Sequence, residues 1–266
     1  MRSRPELRAT DLAAAAPIRQ ACRMSTPGNP ARIAFVCAMP MELSPLVQRL
    51  SLRKTEVDGV EVHRGTLEGR EVIAIVTGMG TKLATEATER LLDTESVDRV
   101  VVVGITGAVE NETPIGTLVL PEFVVNSATG AEYRPHSMGD GEPHGKMWTG
   151  DVLLTDPDVI ADLRAKGVVS LDMETAAIAE SCERRGIPWA VFRVISDRAT
   201  DGSVDEEVFR LSNQDGTPNP KAVAAYFAKN PQRIPQMARL ARGAKLATRT
   251  AADAAIEACR GAGGTS

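Results

Sequence analysis

Residues 99–107 read Arg-Val-Val-Val-Val-Gly-Ile-Thr-Gly, and the valine run at residues 99–103 predicts a strand that is covered on both faces of a sheet, followed by a glycine-containing segment at residues 104–107. Two further apolar runs, Arg-Ile-Ala-Phe-Val-Cys-Ala at residues 32–38 and Pro-Trp-Ala-Val-Phe-Arg-Val-Ile-Ser at residues 188–196, have the same character. Helical patterns lie between these runs. Strands that alternate with helices are typical of an α/β domain with a mixed central sheet, and ligands bind such sheets where the strands end.

The remaining elements follow from local patterns. A hairpin is predicted over residues 60–67 and 71–77, because Glu68-Gly69 separates two strand-like runs. Asp156 is a suitable cap for a helix at 157–166, and Gly186 is a suitable stop for a helix at 173–184. Further strands are predicted at 117–125, 147–154 and 168–171, further helices at 45–52, 81–92, 204–212, 220–229 and 234–260, and a loop at 126–147.

Three regions are expected along the chain. Residues 1–30 are predicted to be a disordered extension, residues 31–213 an α/β domain, and residues 214–266 a helical segment that packs on the domain or trails it. A short apolar patch at 12–18 contains Pro17 and is followed by a basic residue, so a secretion signal is not expected. No apolar run reaches the ~18–20 residues of a membrane helix, so we expect no membrane-spanning segment.

The formal net charge of −4 is unevenly distributed. Residues 1–30 carry +3 and residues 221–266 carry +6, which leaves −13 on the body of the protein. A nucleic-acid-binding domain usually has a basic face on its folded body, so no nucleic-acid partner is expected. We interpret the basic C-terminal region as a solvated helix face.

Cysteine, histidine and glycine patterns argue against metal and nucleotide cofactors. The four cysteines, Cys22, Cys37, Cys182 and Cys259, form no Cys-x-x-Cys pair, which fits a reducing cytoplasm. Cys37 and Cys182 lie in apolar surroundings and are predicted to be buried thiols. His136 and His144 share a segment with acidic residues, where a mobile lid is favoured over a metal site. No Gly-x-Gly-x-x-Gly motif occurs, so no dinucleotide site is predicted.

Three segments place a carboxylate at the end of an apolar element. Glu42 follows the first predicted strand, Glu174 stands where a strand runs into a helix, and Asp197 ends the strand that contains Arg193 and Ser196. Each acid alone has a structural explanation: Glu42 and Glu174 suit the first turn of a helix, and Asp197 suits a turn. Together they form candidates for acid–base chemistry at a sheet edge.

The order of these segments resembles the family of 5′-methylthioadenosine/S-adenosylhomocysteine nucleosidases, within the wider nucleoside phosphorylase and nucleosidase superfamily. The resemblance covers roughly residues 32–200. Its most specific parts are Asp-Met-Glu-Thr-Ala-Ala-Ile-Ala at 172–179 and Arg-Val-Ile-Ser-Asp at 193–197. Weaker matches are Ala-Met-Pro-Met-Glu at 38–42, Thr-Gly-Met-Gly at 77–80, and Gly-Ile-Thr-Gly at 104–107, which is a looser version of a glycine-rich turn.

This resemblance implies a three-layer α/β sandwich with a mixed central sheet, and hydrolysis of the N-glycosidic bond of an adenosine-type nucleoside. It implies that Asp197 protonates the purine while Ser196 orients the acid. Glu42 would polarise a water molecule, helped by Arg193 and the Thr77 hydroxyl. Glu174 would bind the ribose hydroxyls, with Met173 against the sugar. The implied substrate site also includes Ala38, Met39, Gly78, Val152 and Leu153. The resemblance implies no cofactor or metal, and it implies a homodimer.

Alternatives remain at this stage. A phosphorylase would need a phosphate site, but the loop at 38–42 has no arginine and carries an acid that repels phosphate, so hydrolysis is favoured. Relatives that act on futalosine or on an adenosyl-lipid of the hopanoid pathway keep similar core motifs. A non-catalytic nucleoside-binding protein would not need acids on both faces of the ribose.

Overall fold

The computed structural model describes residues 32–57 and 60–261. The predicted extension over residues 1–30, and Cys22 with it, lies outside the described residues. Within the described residues the strands are β1 (Arg32–Cys37), β2 (Arg53–Val57), β3 (Val60–Leu67), β4 (Arg70–Val76), β5 (Arg99–Ala108), β6 (Leu118–Val119), β7 (Phe123–Asn126), β8 (Glu132–Tyr133), β9 (Lys146–Thr149), β10 (Val168–Asp172) and β11 (Trp189–Arg198). The α-helices are α1 (Pro40–Leu50), α2 (Thr81–Thr94), α3 (Pro157–Ala165), α4 (Thr175–Arg185), α5 (Glu206–Phe209), α6 (Pro220–Lys229) and α7 (Ile234–Gly261), with a 3₁₀ turn at Pro231–Arg233.

The strands form one mixed sheet with β5 at its centre. β1 lies parallel between β4 and β5, and β11 runs parallel to β5 along nearly its whole length. The far end of β5 pairs in antiparallel fashion with β10, which leads through β9 and β7 to β8. The long valine strand therefore joins the two halves of the sheet, and the ends of β1, β5, β10 and β11 come close together.

Helices cover both faces of the sheet. On one face, alternate residues of β1 such as Phe35 pack in a cluster with α1 and α7, which includes Leu46 and Ala251. The other residues of β1, such as Val36, pack on the opposite face with α2 and α4, which includes Ile178. Because successive side chains of a strand point to opposite faces, both sets are buried. The predicted α/β sandwich with a mixed central sheet is confirmed.

Helix α7 packs directly on the sheet through small side chains. Ala247, Ala251, Ala252 and Ala255 have no exposed surface, and they belong to the same cluster as β1 and β11 residues. Small residues let the helix backbone approach the strands closely, while its basic residues, such as Lys245, remain exposed. The C-terminal helix is thus part of the main core.

Two predictions of where an element begins or ends, both near the cavity, are wrong. The first helix begins at Pro40 instead of residue 45. Proline is favoured at the first helical position because it has no N–H that would need a partner, and the Glu42 side chain accepts hydrogen bonds from the two backbone N–H groups that precede Pro40. The predicted turn at 104–107 is part of β5, which continues to Ala108 because β11 pairs with it throughout.

Other differences lie away from the centre. β2 was not predicted, and its sequence carries little apolar signal because it is an exposed edge strand. The strand predicted at 117–125 is divided by Pro121 into β6 and β7, and the strand at 147–154 ends at Thr149 before Gly150. The segment at 126–147 contains the short β8, and the helix predicted at 204–212 is limited to α5. The hairpin is confirmed, with Glu68 and Gly69 at positive φ of 50° and 81°.

None of the helices within the described residues combines the length and the apolar character needed to cross a membrane.

Candidate active site

A cavity of about 290 Å³ opens where β1, β5, β10 and β11 come together. One side of it carries the predicted acids and Arg193, and the other side carries apolar residues from the segments after β9 and β11. The predicted site residues that line the cavity are Ala38, Met39, Glu42, Val152, Leu153, Met173, Glu174, Arg193, Ser196 and Asp197. Residues from distant parts of the chain are thus brought to one place, as expected for the edge of an α/β sheet.

Glu42 lies on the first turn of α1 and is fully buried. Its Oε2 accepts hydrogen bonds from the backbone N–H of Ala38 at 2.8 Å and of Met39 at 3.0 Å, and its Oε1 accepts the N–H of Ile105 at 2.8 Å. Gly104 leaves the necessary room, since a Cβ there would collide with the carboxylate and with Arg193. Burial raises the pKa of Glu42 above its usual value, while Arg193 and the three amides oppose that rise.

Glu174 precedes α4 and is likewise buried. Its Oε1 accepts the N–H of Gly80 at 2.9 Å, and its Oε2 lies 3.3 Å from Arg193 Nη2. Burial raises its pKa to about 7; Arg193 lowers it, and the neighbouring charge of Asp172 raises it further. Glu174 can therefore change protonation state near neutral pH.

Arg193 is the centre of the charged cluster, and its side chain is only 2% exposed. It lies 3.3 Å from Glu42, 2.9 Å from Asp172 and 3.3 Å from Glu174. The pKa of Arg193 is raised by these three carboxylates, against the effect of burial, so the guanidinium is charged. Of the described residues lining the cavity, Arg193 is the one basic side chain, and its charge is already shared among three acids.

Asp197 stands apart from this cluster near the end of β11. Its Oδ1 accepts a hydrogen bond of 2.5 Å from Ser196 Oγ, and Gly107 of β5 leaves space beside its other oxygen. Desolvation raises the pKa of Asp197 above its usual value, while the Ser196 hydroxyl opposes the rise. A carboxyl group with a raised pKa at the cavity can serve as a proton donor.

Two predicted site residues, Thr77 and Gly78, do not line the cavity in the described part of the chain. The Thr77 hydroxyl donates to the Gly78 carbonyl at 2.8 Å, and the N–H of Gly78 donates to the Ala38 carbonyl at 3.0 Å. The two residues therefore brace the loop that carries Ala38 and Met39, because β4 ends beside β1.

Sequence reasoning missed several lining residues. Asp172 is part of the quoted motif but received no role, although it makes the shortest contact to Arg193. Trp148 and Phe209 line the cavity with aromatic side chains, whereas the residues that follow Gly-Asp at 150–151 are the aliphatic Val152 and Leu153. Leu240 of α7 closes the apolar side. Trp148 could have been recognised from the sequence, because it is an aromatic residue only two positions before Gly150. No local pattern indicated Leu240.

The segment that contains His136 and His144 does not form a metal site. The backbone N–H of His136 donates to the Trp189 carbonyl and that of His144 to the Leu120 carbonyl, which fixes the segment against the sheet. No cluster of three or more His, Cys, Asp or Glu side chains that could hold a metal ion occurs among the described residues. Cys37 and Cys182 are free and buried, as predicted.

The family model of the phosphorylase superfamily matches residues 32–147 and 141–229 of this chain. The chain belongs to the phosphorylase superfamily. Two curated relatives are the 5′-methylthioadenosine/S-adenosylhomocysteine nucleosidases of Tolumonas auensis, 29% identical, and of Bacillus cereus, 28% identical. Each match spans 199 residues, which is 63% of this chain and 86% of the relative. The resemblance found in the motifs is confirmed.

Solved structures share the fold at lower identity. The Helicobacter pylori 5′-methylthioadenosine/S-adenosylhomocysteine nucleosidase, solved in complex with a substituted pyrrolidin-3-ol, has a TM-score of 0.67 at 16% identity, covering 88% of this chain and 99% of that chain. The 5′-methylthioadenosine/S-adenosylhomocysteine nucleosidase of S. pneumoniae, solved with a transition-state inhibitor, has a TM-score of 0.63 at 22% identity, with coverages of 86% and 99%. A futalosine hydrolase of Helicobacter pylori has a TM-score of 0.64 at 16% identity, with coverages of 85% and 97%.

Proposed function

We propose that this protein is a purine nucleosidase, which hydrolyses the N-glycosidic bond of an adenosine-type nucleoside such as 5′-methylthioadenosine or S-adenosylhomocysteine. The observation that carries the proposal is the pairing, in one cavity, of the Glu42–Arg193–Glu174 cluster with the separate acid Asp197. The curated relatives at 29% and 28% identity carry the corresponding name.

Asp197 is the proposed general acid. A purine leaves an N-glycosidic bond poorly unless it is protonated, and the raised pKa of Asp197 keeps a proton available at the cavity. Ser196 donates to one oxygen of the acid and so orients the other oxygen towards the base. As the bond breaks, the electron pair goes to the protonated purine and positive charge develops on the ribose.

The opposite side of the site is proposed to hold the ribose and the attacking water. Glu174 is a hydrogen-bond acceptor for ribose hydroxyls, and Met173 provides surface against the sugar. Glu42 orients the water and receives its proton, while its negative charge stabilises the developing cation. Ala38, Met39, Val152 and Leu153 form walls of the substrate site, and Thr77 and Gly78 brace the loop that holds Glu42 in place.

Hydrolysis is favoured over phosphorolysis by the charge of the cavity. Phosphate binding requires surplus positive charge or several free donors, commonly from more than one arginine. Here Arg193 already faces three carboxylates, and the amides of Ala38 and Met39 are used by Glu42. A phosphate dianion next to this cluster would meet net repulsion, whereas neutral water would not.

The purified protein tests the proposal directly. It should release adenine and a 5-substituted ribose from methylthioadenosine or adenosylhomocysteine at the same rate with and without phosphate, as followed by chromatography of both products. A requirement for phosphate with a ribose 1-phosphate product would move the protein to the phosphorylases. Cleavage of futalosine or inosine alone would reassign the base, and binding of all four nucleosides without cleavage would make it a binding protein.

We further propose a homodimer that works in the cytoplasm. The dimer rests on the family resemblance and on the exposed apolar side chains of Leu118 and Leu246, of which Leu246 lies next to Gly116. Light scattering at micromolar concentration should give twice the mass of one chain, and a fully active monomer would contradict the dimer. The cytoplasmic location is supported by Cys37, Cys182 and Cys259, which are free and buried in the described part of the chain.

A further inference from the structure

Asp172 is the most completely bonded carboxylate of the cavity. Its side chain is only 2% exposed. Oδ1 accepts a hydrogen bond of 2.5 Å from Thr149 Oγ1, at the end of β9. Oδ2 accepts the backbone N–H of Thr175 at 2.9 Å, the hydroxyl of the same threonine, and Arg193 Nη2 at 2.9 Å. One aspartate thus joins β9, β10, β11 and the first turn of α4.

The same contacts determine where Arg193 lies. Arg193 Nη2 is 2.9 Å from Asp172 but 3.3 Å from Glu174, and Nη1 is 3.3 Å from Glu42. Thr175 Oγ1, which donates to Asp172, also lies within 3.4 Å of Arg193 Nε and 3.3 Å of Nη2. The closest partners of the guanidinium are therefore Asp172 at 2.9 Å and the Ile105 carbonyl, which accepts Nη1 at 3.0 Å, and its contacts to the two glutamates are longer.

Asp172 also anchors Glu174. Its Oδ2 accepts the backbone N–H of Thr175, and the N–H of Glu174 lies 3.4 Å from the same oxygen, so the aspartate binds the amides two and three residues ahead in the turn that leads into α4. Thr149 Oγ1 accepts the N–H of Ala176 at 3.1 Å and so ties the next residue of the helix to the same network. The position of the Glu174 carboxyl group relative to Arg193 thus depends on Asp172.

We propose that Asp172 is a positioning residue of this site, which acts through Arg193 and Glu174 and has no bond-making step of its own. This inference rests on the proposed nucleosidase function. By taking the short ion pair with Arg193, Asp172 leaves Glu42 and Glu174 only loosely paired, so that they can bind water and ribose. Its negative charge beside Glu174 also favours the protonated form of that acid.

The charge effect has a defined direction. The groups that face Glu174 are Arg193 from β11, Asp172 from β10, Glu42 from α1 and the N–H of Gly80. Asp172 and Glu42 raise the pKa of Glu174, and Arg193 and the amide lower it. Asp172→Asn removes a negative charge that raises the pKa of Glu174, and it leaves Arg193 free to pair more closely with Glu174. Both changes lower the pKa of Glu174, so the expected shift is towards lower pH, by about one unit for a contacting charge.

The test compares Asp172→Asn with Asp156→Asn, a matched control. Asp156 caps α3 with the same pattern, accepting the N–H of Asp158 at 2.9 Å and of Val159 at 3.4 Å, but it is exposed and lies outside the cavity lining. In the nucleosidase assay Asp172→Asn should lose about 10-fold to 100-fold in kcat, as expected for a displaced catalytic cluster, with a smaller change in KM. The acidic limb of its pH–rate profile should move to lower pH. Asp156→Asn should keep the wild-type kcat and profile.

A second variant and a measurement without substrate complete the test. Asp172→Glu keeps the charge but lengthens the side chain, so it should lose turnover while its acidic limb stays near the wild-type position; this variant decides if Asp172→Asn does not fold. Carboxyl ¹³C NMR titration of the ligand-free protein, with Glu174→Gln for assignment, should show a lower Glu174 midpoint in Asp172→Asn. An unmoved midpoint, or kinetics like those of Asp156→Asn, would overturn the inference. An inactive wild-type protein with the shifted midpoint would instead refute the nucleosidase proposal alone.

Discussion

Asp197 and its neighbour Ser196 provide the most direct test of the chemistry at single-residue scale. Asp197→Asn keeps the shape of the side chain but removes the proton donor, so turnover of methylthioadenosine should fall by about 10²–10⁴-fold. Since the acid must be protonated to act, wild-type activity should decline as pH rises through the raised pKa of Asp197, and the variant should lack this alkaline limb. Steady-state kinetics across pH measure both effects.

The control for Asp197 is a substrate that needs no protonation. A riboside with a good leaving group, such as p-nitrophenyl riboside, should lose much less activity in Asp197→Asn. Equal losses for both substrates would show that Asp197 has another role.

Glu42 is the second residue with a separable role. Glu42→Gln should remove most hydrolysis, because the amide cannot accept a proton from water, while nucleoside binding remains measurable through Glu174 and Met173. The new amide N–H₂ group must face backbone N–H donors that the carboxylate accepted, so stability should also fall by about 1–3 kcal/mol. Calorimetric binding and thermal melting separate these effects; a variant that still hydrolyses at the wild-type rate contradicts the proposed base.

At the scale of elements, the turn at residues 212–218 supports the loop that holds Glu42. The Gln214 carbonyl accepts the N–H of Met79 at 2.8 Å. Gly216 has a φ of 74°, and a Cβ there would lie 2.5 Å from Met39 Cγ and 2.8 Å from Met39 Cβ. Met39 in turn donates its N–H to Glu42 at 3.0 Å. The turn therefore packs closely against Met39 at the start of α1.

Gly216→Ala should displace Met39 and loosen Glu42, so we expect a fall in kcat of about 10-fold, in line with the sensitivity of catalysis to small misplacements. Gly167→Ala is the matched control, because Gly167 has a similar φ of 79° but nothing within 4 Å of an added Cβ. Both variants should lose about 1 kcal/mol of stability from the unfavourable backbone conformation. Equal kinetics in the two variants would mean that the turn does not position Glu42.

At the scale of the whole molecule, α7 ties the C-terminal region to the main core. Ala251 has no exposed surface and belongs to a core cluster that includes residues of β1, β5 and β11. Ala251→Glu would bury an unpaired charge and overpack the interface, so it should lower the melting temperature strongly or prevent folding. Lys245→Glu, on an exposed position of the same helix, should change the melting temperature little. Similar melting of the two variants would contradict a docked helix.

The buried acids also make the stability of the whole molecule depend on pH. The pKa of Glu174 is raised from 4.5 to about 7 in the folded protein, so the folded state holds its proton longer than the unfolded chain. Its contribution to stability is complete below pH 4.5 and is lost as pH rises through about 7. The free energy of unfolding should therefore fall over this range. Denaturant titrations of Glu174→Gln should give a flatter profile, and a profile with the wild-type slope would contradict the assignment.

Local patterns were sufficient for the fold class, and together with the family resemblance they named ten residues that line the cavity. Alternating valine-rich strands and amphipathic helices lead to an α/β sandwich, since an apolar run of this kind must be covered on both faces. Glu42, Glu174, Arg193 and Asp197 stand at the ends of predicted strands, where function concentrates in such folds. These features depend on neighbouring residues in the chain, and they can be recognised without knowing what each element contacts.

Contacts between distant segments were decided only by the tertiary structure. The continuation of β5 through residues 104–107 depends on pairing with β11, and the role of Asp172 depends on meeting Arg193 and Thr149. Leu240 reaches the cavity because α7 packs on the sheet, many residues after the strands that form the site. No local pattern encodes such encounters, because burial, hydrogen bonding and charge at each position arise from side chains that the chain brings together only when it folds.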